Sequence, residues 1–159
     1  MPHRMSIGEP VNDTWVLLHQ ISDSINICED ELFKKFNMMV QEYQVFRAMK
    51  YIEGAVTPTK ITRFLDKNPN YVTFLVDRLE KKGLVERKRD LDDRRSLRLV
   101  ITPKGETLYQ QVSVPAEELP QKLLTILSKE ELPDFINKLE RIRENTFKYR
   151  HLKDEDIIE

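Results

Sequence analysis

Apolar residues recur every three or four positions between residues 15 and 36, a spacing that places them on one face of a helix. That face consists of Trp15, Leu18, Ile21, Ile25, Cys28, Leu32 and Phe36. Because this spacing is close to a heptad repeat, we expect the face to meet a partner helix. A second helix is predicted over residues 42–53, stopping at Gly54. Its inward residues are Val45, Phe46, Met49 and Ile52.

Two short helices joined by a polar turn are predicted next. Thr57 followed by Pro58 is typical of an N-cap and a first helical residue. The inward residues of this helix are Ile61, Phe64 and Leu65, and residues 68–70 end it. The following helix, residues 70–82, stops at Gly83. Its inward residues are Val72, Leu75, Val76 and Leu79. The pattern is that of a helix-turn-helix, although ordinary helical hairpins share the spacing.

A β-hairpin is predicted where the helical spacing ends. Residues 84–89 and 96–101 are strand-like, and the second segment is rich in Leu, Val and Ile. The six residues between them, 90–95, are nearly all charged and form the predicted tip.

Prolines divide the predicted C-terminal helices. Thr102 and Pro103 repeat the pattern of cap and proline, and open a helix that runs through Val112. Pro115 and Pro120 predict a kink or break beyond it.

A last helix is predicted from Ser128, because Ser128 and Glu131 have the spacing of a capping box. One seam of this helix is formed by Leu132, Phe135, Leu139, Ile142, Thr146 and Tyr149. The whole order predicts a mainly α fold with a small β-hairpin (α+β).

Composition narrows the class of protein. Hydrophobic residues make up 40% of the chain and charged residues 33%, and no apolar run approaches the roughly 18 residues of a membrane span. The single cysteine, Cys28, cannot form an intrachain disulfide, which fits a reducing compartment. Residues 1–8 lack the apolar stretch of a secretory signal. We therefore expect a cytoplasmic protein.

Charge is segregated along the chain, although the formal net charge is only −1. Residues 57–104 hold 13 Lys and Arg against 7 Asp and Glu, whereas the remainder holds 13 against 20. The basic part coincides with the helix-turn-helix and the hairpin. Such segregation creates a local positive potential that attracts a polyanion, of which DNA is the obvious candidate.

The helix over residues 70–82 has an exposed face suited to the major groove. Asn can read adenine, Arg can read guanine, and Thr or an aromatic ring can contact a thymine methyl group. The alternative is an ordinary solvated helix face. The candidate base-reading residues are Asn70, Tyr71, Thr73, Phe74, Arg78 and Lys81.

The hairpin is predicted to project from the fold and to carry a cluster of positive charges. Arginine is favoured in a narrow minor groove, because the negative potential is enhanced there. Asp93 can hold a neighbouring guanidinium in place through a bidentate pair. The alternative is a hairpin whose charges only keep an edge strand soluble. The candidate wing residues are Arg87, Asp93, Arg94 and Arg95.

The chain resembles the MarR family of bacterial winged-helix transcription regulators over nearly its whole length. The most specific motifs are VDRLEKKGLVER at residues 76–87, DDRRS at 92–96 and ITPKG at 101–105. In the family these motifs correspond to the end of the recognition helix, the wing, and the start of the helix that leads back to the dimer interface. The resemblance implies a winged helix-turn-helix fold.

The resemblance also implies roles for single residues. Arg95 would be the arginine that enters the minor groove, oriented by Asp93 and Arg87. Family members bind pseudo-palindromic sites as two-fold dimers joined by their terminal helices. Bulky side chains at Tyr71 and Phe74, where the family often has small or polar residues, prevent the transfer of a base preference.

The predicted parts of the chain follow from this assignment. They are a flexible tail (1–10), helices for dimerisation and support (11–56), the winged helix-turn-helix (57–102), C-terminal dimerisation helices (103–150) and an acidic tail (151–159). Dimer contacts are assigned to Trp15, Leu18, Ile21, Ile25, Leu132, Phe135, Leu139 and Ile142.

Members of the family that this chain resembles are regulated in two ways. Many bind small aromatic anions in a cleft between the dimer helices and the winged helix, and the candidate cleft residues here are Trp15, His19, Phe46 and Arg47. The alternative, which is the more common outcome for any one of these residues, is a core or surface position on two packed helices. Other members sense oxidants through a cysteine. Cys28 lies on an apolar seam, where a cysteine usually serves as a small hydrophobe, so redox sensing is kept only as an alternative.

Catalysis has no support in the sequence. The three histidines are far apart and have no metal-ligand spacing with the cysteine or with carboxylates, and no glycine-rich phosphate loop is present. We therefore predict a protein that is not an enzyme and has neither cofactor nor metal. The expected partners are double-stranded DNA, a second copy of the chain and a small effector. A protein-interaction module built on the same scaffold is the alternative.

Overall fold

The computed structural model describes residues 8–89 and 97–155 of the chain, with side chains up to residue 149. The chain divides into two compact units, Met1–Glu118 and Leu119–Glu159. The helices and strands within the described residues are α1 (Pro10–Lys34), α2 (Val40–Tyr51), α3 (Pro58–Leu65), α4 (Pro69–Lys81), β1 (Val85–Arg89), β2 (Leu97–Ile101), α5 (Pro103–Leu123) and α6 (Glu131–Glu155).

The order of elements confirms the predicted fold class. Two helices precede α3 and α4, and an antiparallel hairpin follows them. In this hairpin Val85 pairs with Ile101 and Arg89 pairs with Leu97. The predicted tip, which carries Asp93, Arg94 and Arg95, lies outside the described residues.

The core of the first unit lies between α2, α3, α4 and the base of the hairpin. The apolar faces predicted for α2 and α4 are confirmed, since Phe46, Val72 and Leu79 have no exposed surface. Ile61 of α3 and Val112 of α5 complete the same core. Burial of these faces removes apolar surface from water, which is the main stabilising contribution to such a fold.

Side-chain caps define the limits of α3 and α4. The Thr57 hydroxyl accepts a hydrogen bond from the Lys60 amide at 3.3 Å, and Pro58 is the first helical residue, as predicted. Asp66 ends α3 in the left-handed conformation, with φ of 49°. Asn68 then caps α4 through the Asn70 amide at 2.9 Å. Only Lys67 lies between Asp66, which ends α3, and Asn68, which caps α4, so the polar turn is short.

Phe64 corrects the predicted inward face of α3, because its side chain is 50% exposed. Ile61 is fully buried and Leu65 is partly buried. At about 100° per residue, Phe64 lies about 80° around the helix from the midpoint between those two positions. A helix of only eight residues has a narrow inward face, and Phe64 falls outside it.

Of the kink or break predicted at Pro115 and Pro120, the break is wrong. The helix α5 continues through both prolines to Leu123. Each proline removes one backbone donor, but the neighbouring amide–carbonyl pairs remain available. The first half of the helix is also anchored in the core by Val112, and Ala116 packs against the same core.

The start of α6 confirms the predicted capping box in the second unit. The Ser128 amide donates to Glu131 at 2.8 Å, and the Glu131 amide donates to the Ser128 hydroxyl at 3.2 Å. These hydrogen bonds lower the pKa of Glu131. The helix continues to Glu155, through the first residues of the predicted acidic tail.

Gly105 allows the base of the hairpin to approach the first turn of α5. The Thr102 hydroxyl accepts from the Gly105 amide at 3.0 Å and donates to the Gly83 carbonyl at 2.7 Å. A Cβ at residue 105 would lie 2.1 Å from the Leu84 carbonyl oxygen and 2.8 Å from a methyl group of Ile101. Only a glycine fits this contact.

Gly105→Ala tests that contact. Helix propensity alone would stabilise the variant by about 1 kcal/mol. We expect instead a loss of about 2 kcal/mol in the free energy of unfolding, measured with urea, because a backbone oxygen cannot swing away from the new methyl group. The control is Gly54→Ala, where no atom lies within 4 Å and only a φ of +71° is strained. A stabilised Gly105→Ala variant would contradict the expected clash.

Candidate nucleic-acid interface

The helix α4 separates a buried face from an exposed face. Val72, Leu75, Val76 and Leu79 enter the core with at most 1% of their surface exposed. The predicted base-reading residues lie elsewhere on the helix. Asn70, Tyr71, Thr73, Phe74 and Lys81 are exposed, and Arg78 is partly buried. The helix thus presents a mixed polar and aromatic surface, as a partner in the major groove requires.

Tyr71 and Phe74 are stacked on this exposed face. Their ring centroids are 6.4 Å apart and the ring planes differ by 19°. The guanidinium carbon of Arg78 lies 5.7 Å from the Phe74 centroid, within the range of a cation–π contact. Helical spacing places Tyr71, Phe74 and Arg78 side by side, because residues three and four apart are neighbours on a helix surface.

Arg78 also forms an ion pair with a buried carboxylate. Glu42 of α2 has no exposed surface. One of its oxygens accepts from Nε of Arg78 at 2.9 Å. The other accepts from the Met39 amide at 2.8 Å and from Nζ of Lys82 at 2.7 Å. A single carboxylate therefore joins the start of α2 to the end of α4.

The charge of Glu42 is stabilised by these donors. Burial alone would raise the pKa of the carboxyl group, but the hydrogen bonds from Lys82, the Met39 amide and Arg78 outweigh burial and hold the pKa below its ordinary value of 4.5. Glu42 is thus ionised at neutral pH, and Arg78 and Lys82 remain attached to it.

Arg87 fastens the hairpin to α4. Its guanidinium donates to Asp77 at 2.5 Å and makes a second hydrogen bond to Glu80. The hydrogen bond to Asp77 is the main reason that the pKa of Arg87 is raised. Its predicted role in orienting Arg95 involves residues outside the described ranges and stays a prediction, as do the roles of Asp93 and Arg94.

The four predicted cleft residues are not a single group. Trp15 is 61% exposed and makes an edge contact with His19, with 4.8 Å between the centroids. Arg47 is exposed, but Phe46 has no exposed surface. Phe46 is therefore a core residue, whose ring contacts Tyr109 at 6.2 Å, and it does not line an open cleft.

Two tyrosines that the sequence did not single out lie near Arg47. Tyr43 stacks on Tyr109 with 6.0 Å between the centroids. Burial, followed by the neighbouring Tyr109, raises the pKa of Tyr43 to about 12, while the charge of Arg47 acts in the opposite direction. Nζ of Lys50 lies 5.2 Å from the Tyr109 centroid. Tyr43 itself is a core residue. The part of this cluster that a ligand can reach is therefore the partly buried ring of Tyr109 with the exposed cations Arg47 and Lys50, a combination that suits an aromatic anion.

Glu42 was also missed by sequence reasoning. Its signal was present, since an acidic residue in the first turn of a predicted helix is typical of a cap. The preceding residues, Met39 and Val40, are not cap formers, and the helix was predicted to begin only at residue 42. The partners on α4 are far away in sequence, so periodicity could not reveal them.

The predicted dimerisation seams are exposed apolar surfaces on their own helices. On α1, Trp15, Ile21 and Ile25 are 61%, 52% and 38% exposed, and Leu18 is partly buried. On α6, the exposed members are Phe135, Leu139 and Ile142, while Leu132 is partly buried. Cys28 is a partly buried free cysteine of α1. The pairing of these seams stays a prediction.

The described residues lack two other features. None of the helices there is long and apolar enough to cross a membrane. The same residues contain no group of three or more His, Cys, Asp or Glu side chains that could hold a metal ion.

Comparison with known proteins identifies relatives of the chain. A sequence model of the MarR family matches residues 51–97. The regulator SarZ of Staphylococcus saprophyticus is 32% identical over 111 residues, which cover 66% of this chain and 75% of SarZ. The repressor MdtR of Bacillus subtilis is 29% identical over 79 residues, half of this chain. The chain spans about half of the length of MdtR, 51%.

Solved structures share the fold at low sequence identity. The MepR–DNA complex of S. aureus matches with a TM-score of 0.74 and 21% identity, covering 82% of this chain and 94% of MepR. The organohalide-sensing regulator RdhR-CbdbA1625, solved with 2,4-dichlorophenol bound, matches with a TM-score of 0.77 and 22% identity. That match covers 92% of this chain and 86% of the regulator.

Glu42→Gln tests the buried ionic network. The amide keeps the size of the side chain but loses its charge, so we expect the free energy of unfolding at pH 7 to fall by about 1–3 kcal/mol in a urea titration. The folded pKa is lower than the ordinary 4.5, so this contribution is present above pH 4.5 and is lost as the pH falls through the folded pKa. The difference between the two proteins should therefore shrink in acid.

The matched control is Glu106→Gln, which removes a surface ion pair with Lys50 at 2.5 Å. Both partners of that pair are about one-third or more exposed, so a loss below about 1 kcal/mol is expected. Equal losses for the two variants, or a difference that does not depend on pH, would show that Glu42 does not act through its charge.

Proposed function

The chain belongs to the MarR family of transcription regulators, and on that premise we propose that it is a homodimeric DNA-binding repressor whose release from a pseudo-palindromic operator is controlled by a small aromatic ligand. Members of this family are regulators rather than enzymes. A repressor of chromosomal genes works in the cytoplasm, as the sequence analysis expects. The observation that carries the proposal is the exposed face of α4, supported from behind by Glu42.

The mode of DNA binding follows from α4 and the hairpin. The N-terminal residues of a recognition helix contact base edges in the major groove, and Asn70, Tyr71 and Phe74 are exposed in the first turns of α4. Arg95 of the wing enters the adjacent minor groove, a role implied by the resemblance. MepR, which has the same fold, has been solved with DNA bound.

Dimerisation explains the exposed seams. An apolar row such as Trp15, Ile21 and Ile25 is costly to leave in water and is typical of an interface. A two-fold dimer places its recognition helices in successive major grooves, about 34 Å apart. The operator is then a pseudo-palindrome.

Ligand control rests on the aromatic and cationic cluster near Arg47. The partly buried Tyr109 and the exposed Arg47 offer a ring and a positive charge to an aromatic anion, while Tyr43, only 5% exposed, stacks on Tyr109 from the core. RdhR-CbdbA1625 has been solved with a chlorinated phenol. The exposed Trp15–His19 pair is a second candidate for contact with the ligand. Binding changes the spacing of the two winged helices, and DNA is released.

A gel-shift titration with the DNA upstream of the protein's own gene tests the function. We expect binding at low salt and a steep loss of affinity as salt rises, because phosphate contacts release counterions. Arg95→Ala should weaken binding about tenfold or more, as expected for loss of a groove contact. The matched control is Arg141→Ala, an exposed arginine of α6, which should bind as wild type. Absence of a shift at low salt would exclude this duplex as the target, and an unchanged Arg95→Ala would favour a protein-docking module.

Ile21→Glu tests the dimer. The side chain is 52% exposed on α1, so a charge there leaves the fold intact but disrupts an apolar seam. Light scattering should report the mass of a dimer for wild type and of a monomer for the variant, with unchanged circular dichroism. Gln20→Glu adds the same charge at the adjacent exposed position and should remain dimeric. A dimeric Ile21→Glu protein would mean that the interface lies elsewhere.

A further inference from the structure

We propose that Tyr71 and Phe74 form an apolar platform that recognises thymine in the major groove through its C5 methyl group. This inference rests on the proposed function, since it requires that α4 enters DNA. It assigns a base preference to residues for which the family resemblance offered none.

The first observation is that the two rings form one exposed apolar surface. Tyr71 is 36% exposed and Phe74 is 49% exposed, and the rings are nearly parallel. Two adjacent large apolar side chains in water usually have a partner. They belong to α4 and not to a helix that carries a proposed dimer seam, so the partner that fits them is the one that α4 contacts.

The second observation is that the platform is held in place. Arg78 contacts the Phe74 ring through its guanidinium, while its Nε is bonded to the fully buried Glu42. These two contacts assign Arg78 a role in positioning Phe74. A ring whose position is fixed before binding loses little conformational freedom when a base docks on it.

The chemistry of the groove selects the ligand. Thymine carries a methyl group on the major-groove edge, whereas guanine, adenine and unmodified cytosine carry none there and present mainly hydrogen-bonding groups. An aromatic surface gains from covering that methyl group and would leave the polar edges of the other bases without hydrogen-bond partners. The Thr73 hydroxyl donates to the Pro69 carbonyl at 3.0 Å, within its own helix. The Thr73 hydroxyl is thus engaged within α4, and the apolar contact with the base is assigned to the two aromatic rings.

The test removes the methyl group alone. Duplexes bound by the full-length protein are selected from a random-sequence pool, and the winners are resynthesised with deoxyuridine in place of thymidine, one position at a time. Base pairing is retained. We expect wild-type affinity to fall about fourfold for each methyl group that contacts the platform, at one or two thymines of each half-site. Phe74→Ala should bind more weakly and no longer distinguish thymine from uracil at those positions.

Phe64→Ala is the matched control, because Phe64 is an equally exposed phenylalanine of the preceding helix, at 50%. It should retain the full discrimination. Both side chains are about half exposed, so the two variants should lower the melting temperature by similar, small amounts. Phe74→Leu, which keeps an apolar contact, should retain part of the discrimination.

The outcomes separate this inference from the function on which it rests. A wild-type protein that binds selected duplexes but tolerates uracil at every position would overturn the platform and leave the proposed DNA binding intact. A uracil penalty of the same size in wild type and Phe74→Ala would also overturn it, because the penalty would then arise from DNA shape. If no duplex is retained from the pool, the proposed function itself is wrong, and the platform with it.

Discussion

The carboxylate of Glu42 is the interaction on which the arrangement of α2 and α4 depends. A charge without any exposed surface is costly unless donors surround it, and here the donors come from the start of α2 and from the end of α4. Helices joined only by apolar side chains can slide or rotate at small cost. Because Nε of Arg78 and Nζ of Lys82 must each reach one carboxylate, the angle and register of α4 against α2 are restricted.

The contacts of α4 also limit the positions of the Phe74 ring on its exposed face and of the hairpin beside it. Arg78, which is bonded to Glu42, contacts the Phe74 ring. On the other side, Arg87 ties β1 to Asp77 and Glu80, so the hairpin is attached to the same helix. Gly105 then lets α5 begin in direct contact with the backbone of Leu84. The candidate interface is thus α4 with the base of the hairpin bonded to it, and such support for the side chains of a site is the preorganisation that binding needs.

Particular residues show where reasoning from sequence succeeded and where it failed. Apolar periodicity identified the buried faces of α2 and α4, because burial of a helix face depends on local spacing. Periodicity failed at Phe64, and the expectation that proline ends a helix failed at Pro115 and Pro120; in both cases the outcome depends on packing. Phe46 was predicted both as an inward residue of α2 and as a candidate cleft residue, and its burial confirms only the first of these. The type of a residue can be read from the sequence, whereas its burial depends on the elements that pack against it.

The sequence by itself determined the order of the elements, the caps at Thr57 and Ser128, the basic middle of the chain and the family. These properties reside in contiguous residues, so short-range spacing is sufficient to encode them. Only the tertiary structure decided that Arg78 faces Glu42, that Tyr43 and Tyr109 stack, and that Tyr71 and Phe74 share one exposed surface. The first two pairs are separated by 36 and 66 positions. The Tyr71–Phe74 pair is local, but its exposure depends on which face of α4 the core covers.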